Sequence, residues 1–410
     1  MAVRLRDDAD FRRYWGARVV SLAGTAVTYV ALPVLAYELT GSPLMTALVA
    51  GFEALPYLLF GLFAGALADR WDRRRVMVAA DLAGALVLVS LPVAELAGVL
   101  TAAHVLVAAF AVQTVFVLFD AANGGALPAL VGRERVATAN SAVWGAGSLI
   151  EVAVPAAAGA ALVWISPTAL VGLDAVTYIA SALLVRAIVR PLSQPREGRA
   201  PLSWQWVRSE AAQGLSFLRR HVGVRTMTII GTCQSITGGA FVGQWVVWAD
   251  VELGVRQGDA RLGVLFAAWA VGGLVATALL PASSRRFGAA RVALWVLPVS
   301  ALMGIVTPLA GSWVSATVLT ALWGSAYMLV VVNSITYRQQ QTPEHLMSRV
   351  HTCGRMLSFG LGWPAGAVLG GVVAEAAGPQ AGMLAGSAAI VVGVVVAWTS
   401  PLRSPIASSL

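Results

Sequence analysis

Long apolar runs, each broken by a short cluster of arginine, proline or glycine, fill almost the whole chain. They fall near residues 16–37, 44–68, 76–96, 102–127, 138–163, 168–189, 224–248, 260–281, 289–310, 313–336, 350–374 and 380–400. A helix needs about 20 apolar residues to cross the hydrocarbon of a bilayer, so the pattern predicts an all-α membrane protein with about twelve transmembrane helices. The longest polar interval, from Pro191 to about His221, divides the runs six and six. It opens as PLSQPREGRAPLS and changes character at Trp204. From there Trp204, Val207, Ala211, Leu215 and Leu218 recur at helical spacing, with Arg208, Glu210, Arg219 and Arg220 elsewhere on the wheel. That predicts an amphipathic helix on the membrane surface, tethering two halves. The expected organisation is a six-helix bundle over 1–190, a linker with an amphipathic helix over 191–223, and a second six-helix bundle over 224–410.

Composition agrees with a bilayer as solvent. The chain is 58% hydrophobic and 12% charged, with mean hydropathy +0.77, whereas soluble domains have roughly 45–50% apolar and about 25% charged residues. The N-terminal MAVRLRDDADFRRYW runs into the first apolar segment with no A-x-A cleavage site, which predicts an uncleaved first span. All 28 basic residues are arginines, concentrated in the connections at 69–75, 131–137, 190–223, 282–288 and 337–349. The opposite side offers Arg256 and Arg261. By the positive-inside rule this asymmetry predicts a multi-pass protein of the cell inner (plasma) membrane with both termini in the cytoplasm. The net charge of +8 therefore reads as topology, with no nucleic-acid partner expected.

Several chemistries are disfavoured. Without lysine there is no P-loop and no Schiff base. The four histidines lack H-E-x-x-H spacing, and no serine sits in a G-x-S-x-G turn. Cys233 and Cys353 lie far apart in apolar segments and imply neither a disulfide framework nor redox chemistry. No enzyme activity, cofactor or metal is expected.

The halves echo each other. Asn140 precedes Pro155 by fifteen positions in NSAVWGAGSLIEVAVP, and Arg349 precedes Pro364 by the same fifteen in RVHTCGRMLSFGLGWP. Two six-helix repeats in a membrane protein point to a transporter with its site at their interface. Beyond this, GALADRWDRRR at 65–75 resembles the signature loop of the major facilitator superfamily, with Asp72 at the position of a usual glycine. YELTGSP at 37–43, PALVGRERVATANS at 128–141 and TPEHLMSRV at 342–350 resemble the branch of exporters that includes enterobactin and macrolide efflux proteins. The resemblance implies two pseudo-symmetric six-helix bundles, a central cavity, and alternating access driven by the proton gradient. The chain departs from the family's drug antiporters in two places: the fourth span has no arginine, and the fifth-span pattern G-P-x-x-G-G survives as VPAAAG.

Gly61, Gly65 and Asp69 are four apart and fall on one helical face. Glycines let helices approach closely, and by family analogy the partner is the eleventh span, with Gly362, Gly366 and Gly370 around Pro364. Asp69, with Arg70 and Arg73, is then expected to latch one side shut, while Arg73 to Arg75 orient the chain. Intramembrane ionisable residues are functional suspects: Glu53, Asp120, Glu151 and Asp174 are candidate proton carriers, Glu53 and Glu151 nearest mid-membrane. Asp174 has a competing structural role, and Asp120 can pair with Arg18 or Arg355. Candidates for the substrate cavity are Trp144, Gln234, Trp245, Asn333 and Arg355.

The leading expectation is a monomeric exporter of a hydrophobic or amphipathic small molecule such as an antibiotic or siderophore, with protons and the lipid bilayer as its other partners. The alternatives are an uptake symporter for a polar solute, which needs polar groups at mid-membrane in both halves, and a transport-inactive scaffold or receptor, which gains nothing from buried carboxylates. The topology is directly testable. In a background lacking Cys233 and Cys353, Gly258→Cys should react with an impermeant thiol reagent from outside the cell, and Gln340→Cys only after permeabilisation. Labelling of both from outside overturns it.

Overall fold

The computed structural model describes residues 5–68, 70–193, 204–256, 259–343 and 346–403. In lipid there is no water to satisfy an open backbone, so each crossing segment closes its own hydrogen bonds as a helix. In chain order these are α1 (Ala9–Thr40), α2 (Pro43–Ala68), α3 (Arg73–Leu96), α4 (Ala102–Val131), α5 (Val136–Ala161) and α6 (Pro167–Arg186). The linker helix α7 (Trp204–Arg220) is followed by α8 (Val222–Val251), α9 (Ala260–Phe287), α10 (Ala289–Val306) and α11 (Trp313–Gln341). The next crossing is composite: α12 (Met347–Arg355), a π-helical segment (Met356–Gly362) and α13 (Trp363–Ala377). It is followed by α14 (Pro379–Thr399).

Among the described residues, eleven helical segments are long and apolar enough to cross a bilayer, counting α12 to α13 as one. The twelfth crossing is α8, which matches α4 at 30 residues but is diluted by threonine, glycine and glutamine. It is the most centrally buried helix of its half, so lipid does not set its composition. Turn chemistry fixes the ends. Gly41, at φ 63°, ends α1 by returning its N–H to the Tyr37 carbonyl, and side-chain caps at Asp8, Asp72, Thr101, Ser166 and Ser312 start α1, α3, α4, α6 and α11.

Helices α1–α6 pack around two cores. Phe11, Tyr14, Met77, Phe119, Leu130 and Val185 fill one end, and Leu32, Leu88, Val105, Val171 and Tyr178 the other. The first of these is the arginine-rich end of the molecule. There two of the arginines expected to orient the chain also fasten helices: Arg73 donates to the carbonyls of Gly125 (2.9 Å) and Leu192 (3.3 Å), and Arg74 to those of Val189 and Arg190. Asp72 is explained by its position, since its carboxylate caps α3 by accepting from the Arg75 N–H at 2.9 Å. Helix α7 lies across this end and grips α12. Arg349 donates to Glu210 and Gln213, both at 2.5 Å, and the Cys353 thiol reaches the Ala211 carbonyl.

Arg190, just past α6, binds Asp8 and Asp10 at the start of α1 and the Leu130 carbonyl at the end of α4. Burial would raise the Asp8 carboxyl, but the Arg190 guanidinium and backbone N–H groups outweigh it and hold the group below its usual 3.8. A lowered carboxyl stabilises the fold above its unfolded value and loses that contribution as pH falls through the folded one. Arg190→Gln should therefore lower thermal stability of the purified protein by about 1–2 kcal/mol, the scale of charge-assisted hydrogen bonds discounted for solvent access. The loss should shrink as pH falls below the ordinary carboxylate range. A pH-independent or negligible loss would refute this role.

Candidate functional site between the bundles

The two bundles meet most closely away from the arginine-rich end. A Cβ placed on Gly159 of α5 would lie 2.3 Å from the Gly263 Cα of α9. One on Gly243 of α8 would lie 2.9 Å from the Ala47 Cβ of α2, and one on Gly371 of α13 would strike Leu44 and Ala47. Glycine is required at these crossings because two backbones come into near contact. The arginine-poor end is thereby shut.

Beneath the closure lies an aromatic plug. Phe241, Trp245 and Trp248 of α8, Phe266 and Trp269 of α9, and Trp323 and Tyr327 of α11 pack edge to face, tilted or stacked, with centroids 4.4 Å apart for Phe241 and Trp323 and 4.8 Å for Trp245 and Phe266. Offset and T-shaped aromatic pairs are favoured by the ring quadrupoles. Tyr29 of α1 joins across the interface, 6.4 Å from Phe266. Trp245, expected to line the cavity, is 1% exposed and forms the body of this plug.

Glu53 sits near the middle of α2, half-buried, within electrostatic range of the Tyr29 hydroxyl, and forms no ion pair among the described residues. One turn on, Tyr57 meets Phe359 of the π-helical segment at 5.3 Å, and the Arg355 guanidinium lies 4.2 Å from the Tyr57 ring centre. Arg355 also pairs with Asp120 of α4 at 3.7 Å, with 45% and 34% of the two side chains exposed. Of the two partners open to Asp120, the structure selects Arg355. Arg18 instead lies over Phe119. Glu151 is exposed on α5, and Trp144, two turns earlier on the same helix face, is 73% exposed. The interface thus runs from a charged, partly exposed Arg355–Asp120 pair toward the arginine-rich end, past Glu53, to the aromatic plug.

Other expected residues lie elsewhere. Gln234 is fully buried and donates to Ser300 of α10 at 3.1 Å, and Asn333 ties α11 to α9 by accepting from Ser284 at 2.8 Å. Both are spent inside the second bundle. Asp174 accepts from Thr28 (2.5 Å) and Thr177 (2.7 Å). Sequence reasoning missed its neighbour Asp81 of α3, which is 1% exposed and has an oxygen without a hydrogen bond. Arg18 is also buried, with Nε and Nη1 unbonded. The available signal was that Asp81 stands more than one turn inside the apolar run that begins at Val76.

The glycine latch also differs from expectation. Asp69 lies outside the described residues, Arg70 is exposed, and Gly65 lies within α2. A Cβ on Gly61 would meet nothing within 4 Å. The stripe Gly362, Gly366 and Gly370 faces Thr232, Ile236 and Ala240 of α8, within its own bundle. It is the other face of this crossing, with Gly360, Pro364, Ala367 and Gly371, that meets α2. Spacing defined a small-residue face correctly but could not say which neighbour fills it.

Residues 14–352 match the sequence profile of the Major Facilitator Superfamily. The chain is 27% identical over 368 residues to the multidrug efflux pump Tap of Mycolicibacterium fortuitum, covering 88% of each chain. It is 26% identical over 232 residues to macrolide efflux protein A of Streptococcus pyogenes, 54% of each. In fold it resembles a bacterial homolog of the human lysosomal transporter Spinster in an inward-facing and occupied conformation, with TM-score 0.75, 14% identity, and 100% of this chain and 98% of that one covered.

The packing makes a paired prediction. A methyl on Gly366 would sit 1.9 Å from the Ile236 carbonyl oxygen, so Gly366→Ala should destabilise the protein by about 1–3 kcal/mol through overpacking. Gly61→Ala should be neutral or mildly stabilising, since alanine favours helix by about 1 kcal/mol. Thermal unfolding in detergent compares them. Equal effects would refute the assignment of faces.

Proposed function

The chain belongs to the Major Facilitator Superfamily, and we propose that it exports a hydrophobic or amphipathic small molecule in exchange for protons, by alternating access. The observation that carries this reading is Glu53: a carboxylate that forms no ion pair among the described residues, within electrostatic range of Tyr29, which meets the aromatic plug at Phe266. The similarity to chains named as multidrug and macrolide efflux proteins supports the direction and the substrate class. The arginine asymmetry supports a plasma-membrane orientation with the arginine-rich mouth and both termini in the cytoplasm. We take the working unit to be one chain.

Substrate enters from the cytoplasmic mouth and meets the Arg355–Asp120 pair, the exposed Trp144 and Glu151 face, and then Glu53. Aromatic rings offer contact area without demanding a fixed hydrogen-bond pattern, which suits amphipathic substrates of varied shape. A proton and a substrate that compete for the surroundings of one carboxylate are exchanged; they are not carried together. Glu53 is the first candidate for that role and Glu151 the second. Asp120 is engaged by Arg355 and Asp174 by two threonines. An uptake symporter for a polar solute fits less well, because Gln234 and Asn333 are already bonded within their bundle. A transport-inactive scaffold leaves the lone Glu53 without a use.

In proteoliposomes with an imposed pH gradient, Glu53→Gln should reduce gradient-driven export at least about tenfold, the scale of losing one general proton-transfer group. Substrate binding should remain measurable by thermal stabilisation, because the amide preserves shape but carries no proton. Glu151→Gln should have a smaller effect. Unchanged pH dependence in both variants removes the assignment, and absence of substrate counterflow in the unmodified protein removes the transport reading itself.

A further inference from the structure

The turn between α1 and α2, carrying the segment YELTGSP, is held from the opposite bundle on two sides. The Tyr37 hydroxyl donates to the Asp250 carboxylate at the end of α8 (3.1 Å), and Gln244 of α8 donates to the Pro43 carbonyl (3.1 Å). From the other side, Glu375 near the end of α13 accepts from the Ser42 hydroxyl (2.9 Å) and from the Leu44 N–H (3.2 Å). Each of these four bonds crosses between the bundles, and all lie at the arginine-poor end.

Glu375 holds a particular position. The first N–H groups of a helix have no partner within it, and the aligned peptide dipoles leave partial positive charge there. Glu375 supplies both an acceptor and a negative charge to the start of α2 from a helix of the other bundle. Ser42 completes the cap by accepting from the Met45 N–H at 3.2 Å. The surrounding titratable groups are Tyr37 and Glu38 in the last turn of α1, and Asp250 and Glu252 at the end of α8. Glu95 of α3 is bound by Thr168, and Arg261 of α9 is held by Asp259. Among the described residues no arginine forms an ion pair with Glu375 or Asp250. Both acceptors are therefore balanced by neutral donors and a helix terminus, and each loses its charge-assisted strength on protonation.

We propose that YELTGSP, clasped by Glu375 and Asp250, is the latch of the arginine-poor gate, and that protons arriving from that side release it. The inference rests on the proposed orientation, in which this end faces outside. Acid outside then favours the outward-open state, in which an exporter discharges substrate and takes up protons, so the latch would link the gradient to gate opening at a site distinct from Glu53.

The test uses the full-length protein without substrate, so it reads the latch whether or not antiport is correct. With Cys233 and Cys353 removed, spin labels at Leu39→Cys and Ala377→Cys report the separation of the bundles at this end. On acidification the long-distance population should grow. Glu375→Gln keeps the shape of the cap and removes its charge. It should raise the long-distance population roughly two- to fivefold at neutral pH, the scale of one charge at a helix terminus, and flatten the pH response. Tyr37→Phe, which removes only the donor to Asp250, should shift the population in the same direction. If Glu375→Gln and Tyr37→Phe both left the distance distribution and its pH profile unchanged, the latch would be overturned.

Discussion

The Ile236 carbonyl of α8 lies where a methyl on Gly366 of α13 would have to be, and comparable near-contacts join Gly159 to Gly263 and Gly272 to the Ala321 carbonyl. Within a bilayer, lipid tails are as apolar as leucine, so burying leucine between helices supplies little drive. Association rests on close packing of backbone against backbone, which only small residues permit. The same device serves two purposes here. Between α8 and α13, or α9 and α11, it welds one bundle. Between α5 and α9 it joins two bundles that, on the proposed reading, must separate for transport. The closed end is thus packed as tightly as a bundle interior, and opening it must break a seam of that quality.

That distinction was beyond reach of the sequence. The spans, the six-and-six division, the amphipathic helix from Trp204 and the arginine-rich end were all legible, because hydropathy, charge asymmetry and helical period act along the chain. The neighbour met by a given helix face is a three-dimensional fact. Small residues occupy two faces of the α12–α13 crossing, and the stripe at Gly362, Gly366 and Gly370 drew attention while the face through Gly360 and Gly371 performs the meeting with α2. The π-helical segment adds a further obstacle, since its wider turn changes the register between Arg355 and Pro364. A face extrapolated through it at 3.6 residues per turn loses its phase. Buried ionisable groups show the same limit: Glu53 was legible from its depth, whereas Asp81, inside the run 76–96, was not singled out.

The two halves divide the chemistry unequally. The half-buried Glu53 and the buried Asp81 and Asp174 belong to the first bundle, and the aromatic plug is built almost wholly by the second. Tyr29 is the exception that brings the two together, touching Phe266 on one side and the field of Glu53 on the other. On the proposed reading this places the proton-responsive groups and the substrate-contacting surface on opposite sides of a moving interface. A change of charge at Glu53 alters what the plug faces without disturbing how the plug is packed.

The composite crossing of α12, the π-helical segment and α13 is where these parts are mechanically connected. Its start is tied to α7 through Arg349 and Glu210, its middle to α2 through Phe359 and Tyr57, and its end to the start of α2 through Glu375. Arg355, immediately before the π-helical segment, adds Asp120 of α4. A π turn has weaker hydrogen-bond geometry than an α turn and is a natural place for a helix to bend. Where the two ends of this crossing move by different amounts as access alternates, the difference is taken up as a bend in the middle third, between the Arg355 contact and the glycine-lined seam with α2. That is where the π-helical segment lies. On the proposed reading the same helix can then release Glu375 at one end while it draws Arg355 and the attached α7 toward the other, so that one crossing, bending at its π-helical segment, couples both gates.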